Sequence, residues 1–277
     1  MSSELTPTHI NPNDLRPTPN ENFTLTGDLF SKENSRTTHL TPEGLRRLHE
    51  NGVVVVMAGF FPGASGSSTA TKELAKKLDC PYLSTGDAMR GVAEKNGYSG
   101  DGGLLEFMAA HRNDPDLDYQ IDMEMFGKAR ALAKEHGIVV VDSKAMYMLW
   151  PIFGNSSEDP LFITESVMTK GNVARERLAP REREKAQQSG KPIPSDEAIF
   201  ANRRNRLDED KKRLNASYPH ISGHYRGPHS VAEASNFVPI DGSSITKEQM
   251  GVEALQRLVS IPALRDYLLN SIGYLSD

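Results

Sequence analysis

The stretch GFFPGASGSST, Gly59 to Thr69, decides the fold. It follows VVVVMA, Val53 to Ala58, a continuous apolar run rich in β-branched residues, and it leads into a helical pattern from about Thr69 to Leu78. A run in which every residue is apolar reads as a strand covered on both faces. A glycine-rich turn between such a strand and a helix start is an anion site, because the backbone N–H groups of the turn and of the helix N-terminus point at one place.

The phosphate-loop pattern G-x-x-x-x-G-K-[ST] is met only in part. Gly66 takes the second glycine position, but Ser67-Ser68 stands where Lys-[ST] is required. Phe61 holds the first glycine position, and Gly59 lies two residues too early.

Outward from this turn the chain alternates strands and helices. Upstream, Thr41 reads as an N-cap with Pro42 at the first helical position, and Asn51-Gly52 closes that short helix. Downstream, helices are expected at about Asp87 to Lys95, Gly103 to Ala110 and Asp116 to Glu135, with strands at Ile138 to Asp142 and Leu161 to Glu165. Helices follow near Asn172 to Gln187 and Asp196 to Asn215, then a strand from Phe237 to Asp241 and helices near Lys247 to Val259 and Pro262 to Leu269. Alternating β and α elements with apolar-run strands predict an α/β fold, a doubly wound parallel sheet between helical layers. Residues 1–40, rich in Ser, Thr, Pro and Asn, are expected to form an irregular extension. Residues 41–277 form one domain, in which Asn155 to Pro160 and about 218–236 read as loops.

Composition narrows the partners. The 277 residues carry a net charge of −5 and 37% hydrophobic residues, with a mean hydropathy of −0.51. No basic excess points to nucleic acid, so an electropositive site must be local. No window reaches the length of about eighteen apolar residues that a membrane helix needs, and MSSELTPTHI lacks the features of a secretory signal. A cytoplasmic protein without membrane partners is expected. Cys80 is the single cysteine, so no internal disulfide forms. The eight histidines show no metal-like spacing, and Met146, Met148 and Trp150 read as core packing.

Six segments carry a resemblance. LSTGDAMR, Leu83 to Arg90, resembles the monophosphate-binding segment of adenylate-kinase-like enzymes. LLEFMAAHRNDPDLDYQID, Leu104 to Asp122, and IVVVDSKAMYML, Ile138 to Leu149, resemble the archaeal-type cytidylate kinases in order and spacing. VARERLAPRE, Val173 to Glu182, is similar to that family's lid helix, RLDEDKKR, Arg206 to Arg213, to its R-x-x-x-D-x-x-R segment, and NFVPIDGSSITKEQM, Asn236 to Met250, to its closing strand and helix. The matches span roughly Val53 to Leu258.

The resemblance implies a three-layer phosphate-loop nucleoside monophosphate kinase, with a monophosphate-binding insertion at about 84–135 and a lid at about 175–215. It implies ATP and a nucleoside monophosphate, CMP or dCMP, as substrates, Mg2+ as cofactor, and a monomer or homodimer. The ATP phosphates fall to Gly63, Ala64, Ser65, Gly66, Ser67, Ser68 and Thr69, and the metal to Ser68 and Asp142. The monophosphate falls to Ser84, Thr85, Arg90, Lys144 and Asp210, with Lys144 standing where the family carries arginine. The transferring group falls to Arg177, Arg181, Arg206 and Arg213. Arg177 and Arg181 lie four apart on one helical face, so both reach the same phosphate, unless Pro180 ends the helix between them.

Ser67 cannot carry the charge of the missing lysine. Either a lid arginine or Lys72 supplies it, or the rate is low; Lys72, more than a helical turn beyond Ser67, is a poorer candidate than an arginine. A nucleotide-binding protein that has lost transfer, or a kinase of another small acceptor, are the alternative readings. Lys170 to Arg213 is net +5 and the rest of the chain net −10, an acidic body carrying a basic lid that suits closure over polyanionic nucleotides.

Overall fold

The computed structural model describes residues 23–26, 37–59, 65–100, 102–111, 114–143, 146, 149, 156–218 and 237–270. A five-stranded, wholly parallel sheet forms its centre. The strands are β3 (Val53–Gly59), β4 (Tyr82–Ser84), β5 (Ile138–Asp142), β6 (Leu161–Met168) and β7 (Phe237–Asp241), in spatial order β4-β5-β3-β6-β7. After β3 the chain steps to one edge, returns through β5, and then crosses to the other side. The order thus reverses beside β3, and ligands of such sheets bind at the strand C-termini next to that reversal. The phosphate loop leaves β3 there.

Alternation along the strands fills two apolar layers. Val53, Val55, Met57, Ile138, Val140, Leu161 and Ile163 face α1 (Pro42–Asn51), α2 (Ser67–Lys77), α8 (Met250–Val259) and α9 (Pro262–Asn270). Val54, Val56, Val139, Val141 and Phe162 face α3 (Thr85–Lys95), α4 (Gly103–Ala110) and α5 (Pro115–His136). The sheet is therefore covered on both sides, as the unbroken Val53–Val56 run requires. A small third core joins α6 (Gly171–Gln188) to α7 (Asp196–Ser217) through Leu178, Ala179 and Ile199, with Phe200 packed on it.

Three expectations are corrected. The first forty residues contain an antiparallel ribbon, β1 (Phe23–Thr26) with β2 (Thr37–Leu40), where Phe23 stands opposite Leu40. Its strands FTLT and TTHL are rich in β-branched threonine, which offsets their polarity. Pro180 does not end its helix: α6 runs through it to Gln188, so Arg177 and Arg181 share one helix. Pro180 and Glu176, whose carbonyl loses its i+4 donor, both lie on the exposed side, where water replaces the bond. The first helix of the final pair, α8, also begins later than expected, whereas α9 begins at Pro262 as expected. Regular helix starts at Met250, behind a turn in which the Thr246 N–H donates to Gln249 Oε1 (2.8 Å) and the Gln249 N–H to Thr246 Oγ1 (3.3 Å). That reciprocal pair is a capping box, and it fixes residues 247–249 as the helix entry.

No helix among the described residues is long and apolar enough to cross a membrane.

Candidate active site

Gly66 caps α2 in the left-handed region, φ 93°, which a side chain would resist. The space above it is also taken: a Cβ there would meet Met250 Cε and Sδ at 2.4 Å. Ser65 is buried, and its carbonyl accepts a hydrogen bond from Thr169 Oγ1 at 2.9 Å. Gly66 at the N-cap has no side chain to cap α2, no acidic residue lies in the first turn, and Ser65 Oγ accepts from the Ser67 N–H at 3.4 Å, so the positive end of the helix is presented at Ser68 and Thr69. Gly63 and Ala64 lie outside the described residues, as do Lys144, Met148, Trp150 and the loop beyond Tyr218.

Across the sheet edge, β4 delivers Ser84, which caps α3 by accepting from the Asp87 N–H at 3.2 Å. Arg90, one turn along, is exposed and ion-paired to Asp87. Asp142 ends β5 beside Met57 of β3 and Ser84 of β4, which puts its carboxylate at the C-terminal edge between the phosphate loop and the α3 entry.

A cavity of about 710 Å³ opens over this edge. Its lining includes every described candidate: Ser65 to Thr69, Ser84, Thr85, Arg90, Asp142, Arg177, Arg181, Arg206, Asp210 and Arg213. The arginines do not all point freely into it. Arg177 donates to the carbonyls of Gly242 (2.7 Å) and Ile245 (3.0 Å), which ties α6 to the turn after β7. Arg181 donates to Glu182 Oε1 at 3.2 Å, and Arg203 pairs with the same oxygen. Thus Arg177 and Arg181 line one cavity, and their guanidinium groups have separate protein partners. Arg213 Nε lies 2.9 Å from Asp118 Oδ2, and its Nη2 lies 3.5 Å from Asp210 Oδ1.

Five polar or charged side chains of the lining escaped the sequence reading: Asp118, Asp122, Ser143, Arg203 and Lys247. Arg203 lies three residues before Arg206 and seven before Asp210, so helical spacing alone places it on their face. Asp118 and Asp122, four apart on α5, carried the same signal. Lys247 carried none, because it sits in a turn.

Asp122 is the most constrained of these groups. It is 4% exposed, Tyr218 Oη donates to its Oδ2 at 2.5 Å, and its Oδ1 is buried with no hydrogen-bond partner among the described residues. Burial, reinforced by the Asp118 charge, lifts its carboxyl to about 7 against the opposing hydrogen bond from Tyr218. Burial also raises Asp118, with Arg213 opposing. Glu182 moves the other way: burial pushes it up, but Arg203, Lys185 and Arg181 together outweigh that and lower it.

A magnesium ion needs few protein ligands, usually one or two oxygens with phosphates and water completing the shell. The donor set of Ser68 and Asp142, a hydroxyl and a carboxylate lining one cavity, fits that demand. No group of three or more His, Cys, Asp or Glu that would hold a metal alone occurs among the described residues.

Comparison with known proteins returns a family for the chain. Residues 61–199 match the model of the AAA_17 family, an AAA domain, and the chain belongs to that family. The chain is similar to a cytidylate kinase of Ignicoccus hospitalis, 37% identical over 90 residues, which are 32% of this chain and 46% of the relative. It is similar as well to a cytidylate kinase of Haloarcula marismortui, 30% identical over 129 residues, 46% of this chain and 59% of the relative. The chain thus matches about half the length of these relatives. A solved shikimate kinase from Bacteroides thetaiotaomicron covers 76% of this chain and 98% of its own at 14% identity, with a TM-score of 0.41.

Proposed function

We propose that this protein is a nucleoside monophosphate kinase that transfers the γ-phosphoryl group of ATP to CMP or dCMP. One observation carries the reading. A single cavity joins an uncapped helix start after a glycine turn, a strand-end aspartate, and a second polar shelf of Ser84, Thr85 and Arg90. Two anion sites facing each other are what phosphoryl transfer between two nucleotides requires, since the protein's part is to hold the reactants in line and offset charge.

In the reaction, an oxygen of the acceptor's phosphate forms a bond to the γ-phosphorus. The bond from that phosphorus to the bridging oxygen of ATP breaks, and its electron pair leaves with ADP. No proton need move if the acceptor phosphate is a dianion. Ser65 to Thr69 hold the triphosphate, Arg90 holds the acceptor phosphate, and Arg181, Arg203 and Arg206 offset charge on the group in transit. Ser68 and Asp142 would hold magnesium, which when bound neutralises charge on the β- and γ-phosphates.

The cytosine preference rests on Asp122. Leu104, Met108, Ile121 and Leu214 give the acceptor end apolar walls, and Asp122 lies among them. A cytosine 4-amino group would donate to Oδ1, which has no hydrogen-bond partner among the described residues. Uracil presents a carbonyl there, which the carboxylate repels, and a buried polar group left unmatched is costly.

Ser67 in place of the phosphate-loop lysine favours a second reading, nucleotide binding without transfer. A coupled assay of ATP consumption with CMP, dCMP, UMP and AMP separates the two. Turnover with CMP or dCMP is expected, and ATP binding without turnover of any of the four would overturn the kinase reading.

A further inference from the structure

The cavity has seven cationic lining residues, and most have partners. Arg90 pairs with Asp87, Arg177 is spent on two carbonyls, Arg181 and Arg203 share Glu182, and Arg213 sits between Asp118 and Asp210. Arg206 and Lys247 make no ion pair or hydrogen bond among the described residues. Arg206 lies one helical turn before Asp210 on α7. Lys247 lies in the turn that follows β7.

That turn is pinned to the phosphate loop at both ends. Gly242 packs so closely that a Cβ would lie 2.6 Å from Thr169 Oγ1 and 3.0 Å from the Ser65 carbonyl oxygen. At the far end, Met250 covers Gly66. Between them, Arg177 clamps the carbonyls of Gly242 and Ile245, Ser243 Oγ accepts from the Lys170 N–H at 2.7 Å, and the Thr246–Gln249 capping box fixes the helix entry. A turn held at so many points cannot drift, so the Lys247 backbone is placed beside the loop that lacks its own lysine. Lys72, the other lysine weighed for this role, is not among the cavity-lining residues. Its ammonium lies over the Tyr82 ring, 5.7 Å from the centroid.

We propose that Lys247 supplies the positive charge on the ATP triphosphate that Ser67 cannot, reaching over the phosphate loop from the closing turn. This assignment rests on the kinase reading above. It restores the charge without restoring the position, so the loop keeps its open helix start and gains its cation from a separate element.

The test is MgATP affinity, by calorimetry, alongside turnover with CMP. Lys247 is exposed, so Lys247→Ala should fold as the wild type does, which a melting curve checks. Lys247→Ala should weaken MgATP binding by about tenfold and lower kcat, while the KM for CMP moves little. Lys247→Arg should retain most of the affinity. Ser67→Lys introduced into the Lys247→Ala protein should recover it, because the charge returns at the usual phosphate-loop position. Equal MgATP affinity and kcat in wild type and Lys247→Ala, with the wild type active, would overturn this assignment and leave the kinase reading standing. A wild-type chain that binds no MgATP would overturn both.

Discussion

The Tyr218 hydroxyl donates to Asp122 Oδ2 at 2.5 Å, and the other oxygen of that carboxylate is buried with no hydrogen-bond partner among the described residues, at the cavity wall. An arrangement that costs folding energy in the empty protein is explained if a substrate group completes it. Asp122→Asn keeps the volume and removes the charge. Discrimination between CMP and UMP, as the ratio of kcat/KM values, should fall by about tenfold or more.

The same group predicts a pH dependence. With its carboxyl at about 7, Asp122 is protonated below that value and cannot accept from an amino group at Oδ1 in its acid form. The KM for CMP should therefore fall as pH rises through about 7. In Asp122→Asn the KM for CMP should be level across that range, and persistence of the wild-type slope in this variant would assign the titration to another group.

Glu182 holds Arg181 on its own helix and Arg203 on the next, across the small core of Leu178, Ala179 and Ile199. Since its carboxyl is lowered in the folded protein, the stabilisation is present above the ordinary glutamate pKa and is lost as pH falls through the lowered value. Glu182→Gln should lower the melting temperature by a few degrees near pH 7 and bring the two proteins together in strong acid. Thermal unfolding at pH 7 and below pH 4 reads this directly.

Glu165 on β6 is fully buried, and neither oxygen has a hydrogen-bond partner among the described residues. Burial raises its pKa well above the usual value, and Arg257 opposes only in part. A raised carboxyl pKa means that the native state favours the protonated form, so its contribution to stability falls as pH rises through the folded value. Glu165→Gln, which is never ionised, should be more stable than wild type at alkaline pH, by about 1 kcal/mol or more. The gap should shrink toward pH 4. Equal stability at pH 9 would show the burial to be harmless.

Much of this was legible before the structure. The Val53 to Val56 run and the glycine turn after it define a buried parallel strand and an anion site, because both follow from local rules: residue type, glycine freedom and helix start. Spacing also placed Arg206, Asp210 and Arg213 on one face, and all three line the cavity. What was not legible depended on contacts between distant segments. Arg177 was expected on a phosphate, yet the carbonyls of Gly242 and Ile245, some 65 residues on, take two of its donors. Pro180 reads as a helix end by propensity, and the helix nonetheless continues, held by Leu178 and Ala179 packing on Ile199. Lys247 showed no periodic signal, since its place beside the phosphate loop comes from Gly242 and Met250 packing on Ser65 and Gly66.

The central claim is transfer between two nucleotides in this one cavity, and steady-state turnover of CMP by the wild type and by Arg90→Ala tests it most directly. Arg90 is exposed and pairs only with its neighbour Asp87 among the described residues, so its loss should leave the fold and MgATP binding intact. The account predicts CMP-dependent ADP formation by the wild type and a fall in kcat/KM for CMP of about a hundredfold in Arg90→Ala, at unchanged MgATP affinity. Wild-type turnover that Arg90→Ala leaves untouched, or no CMP- or dCMP-dependent ADP formation at all, would contradict it.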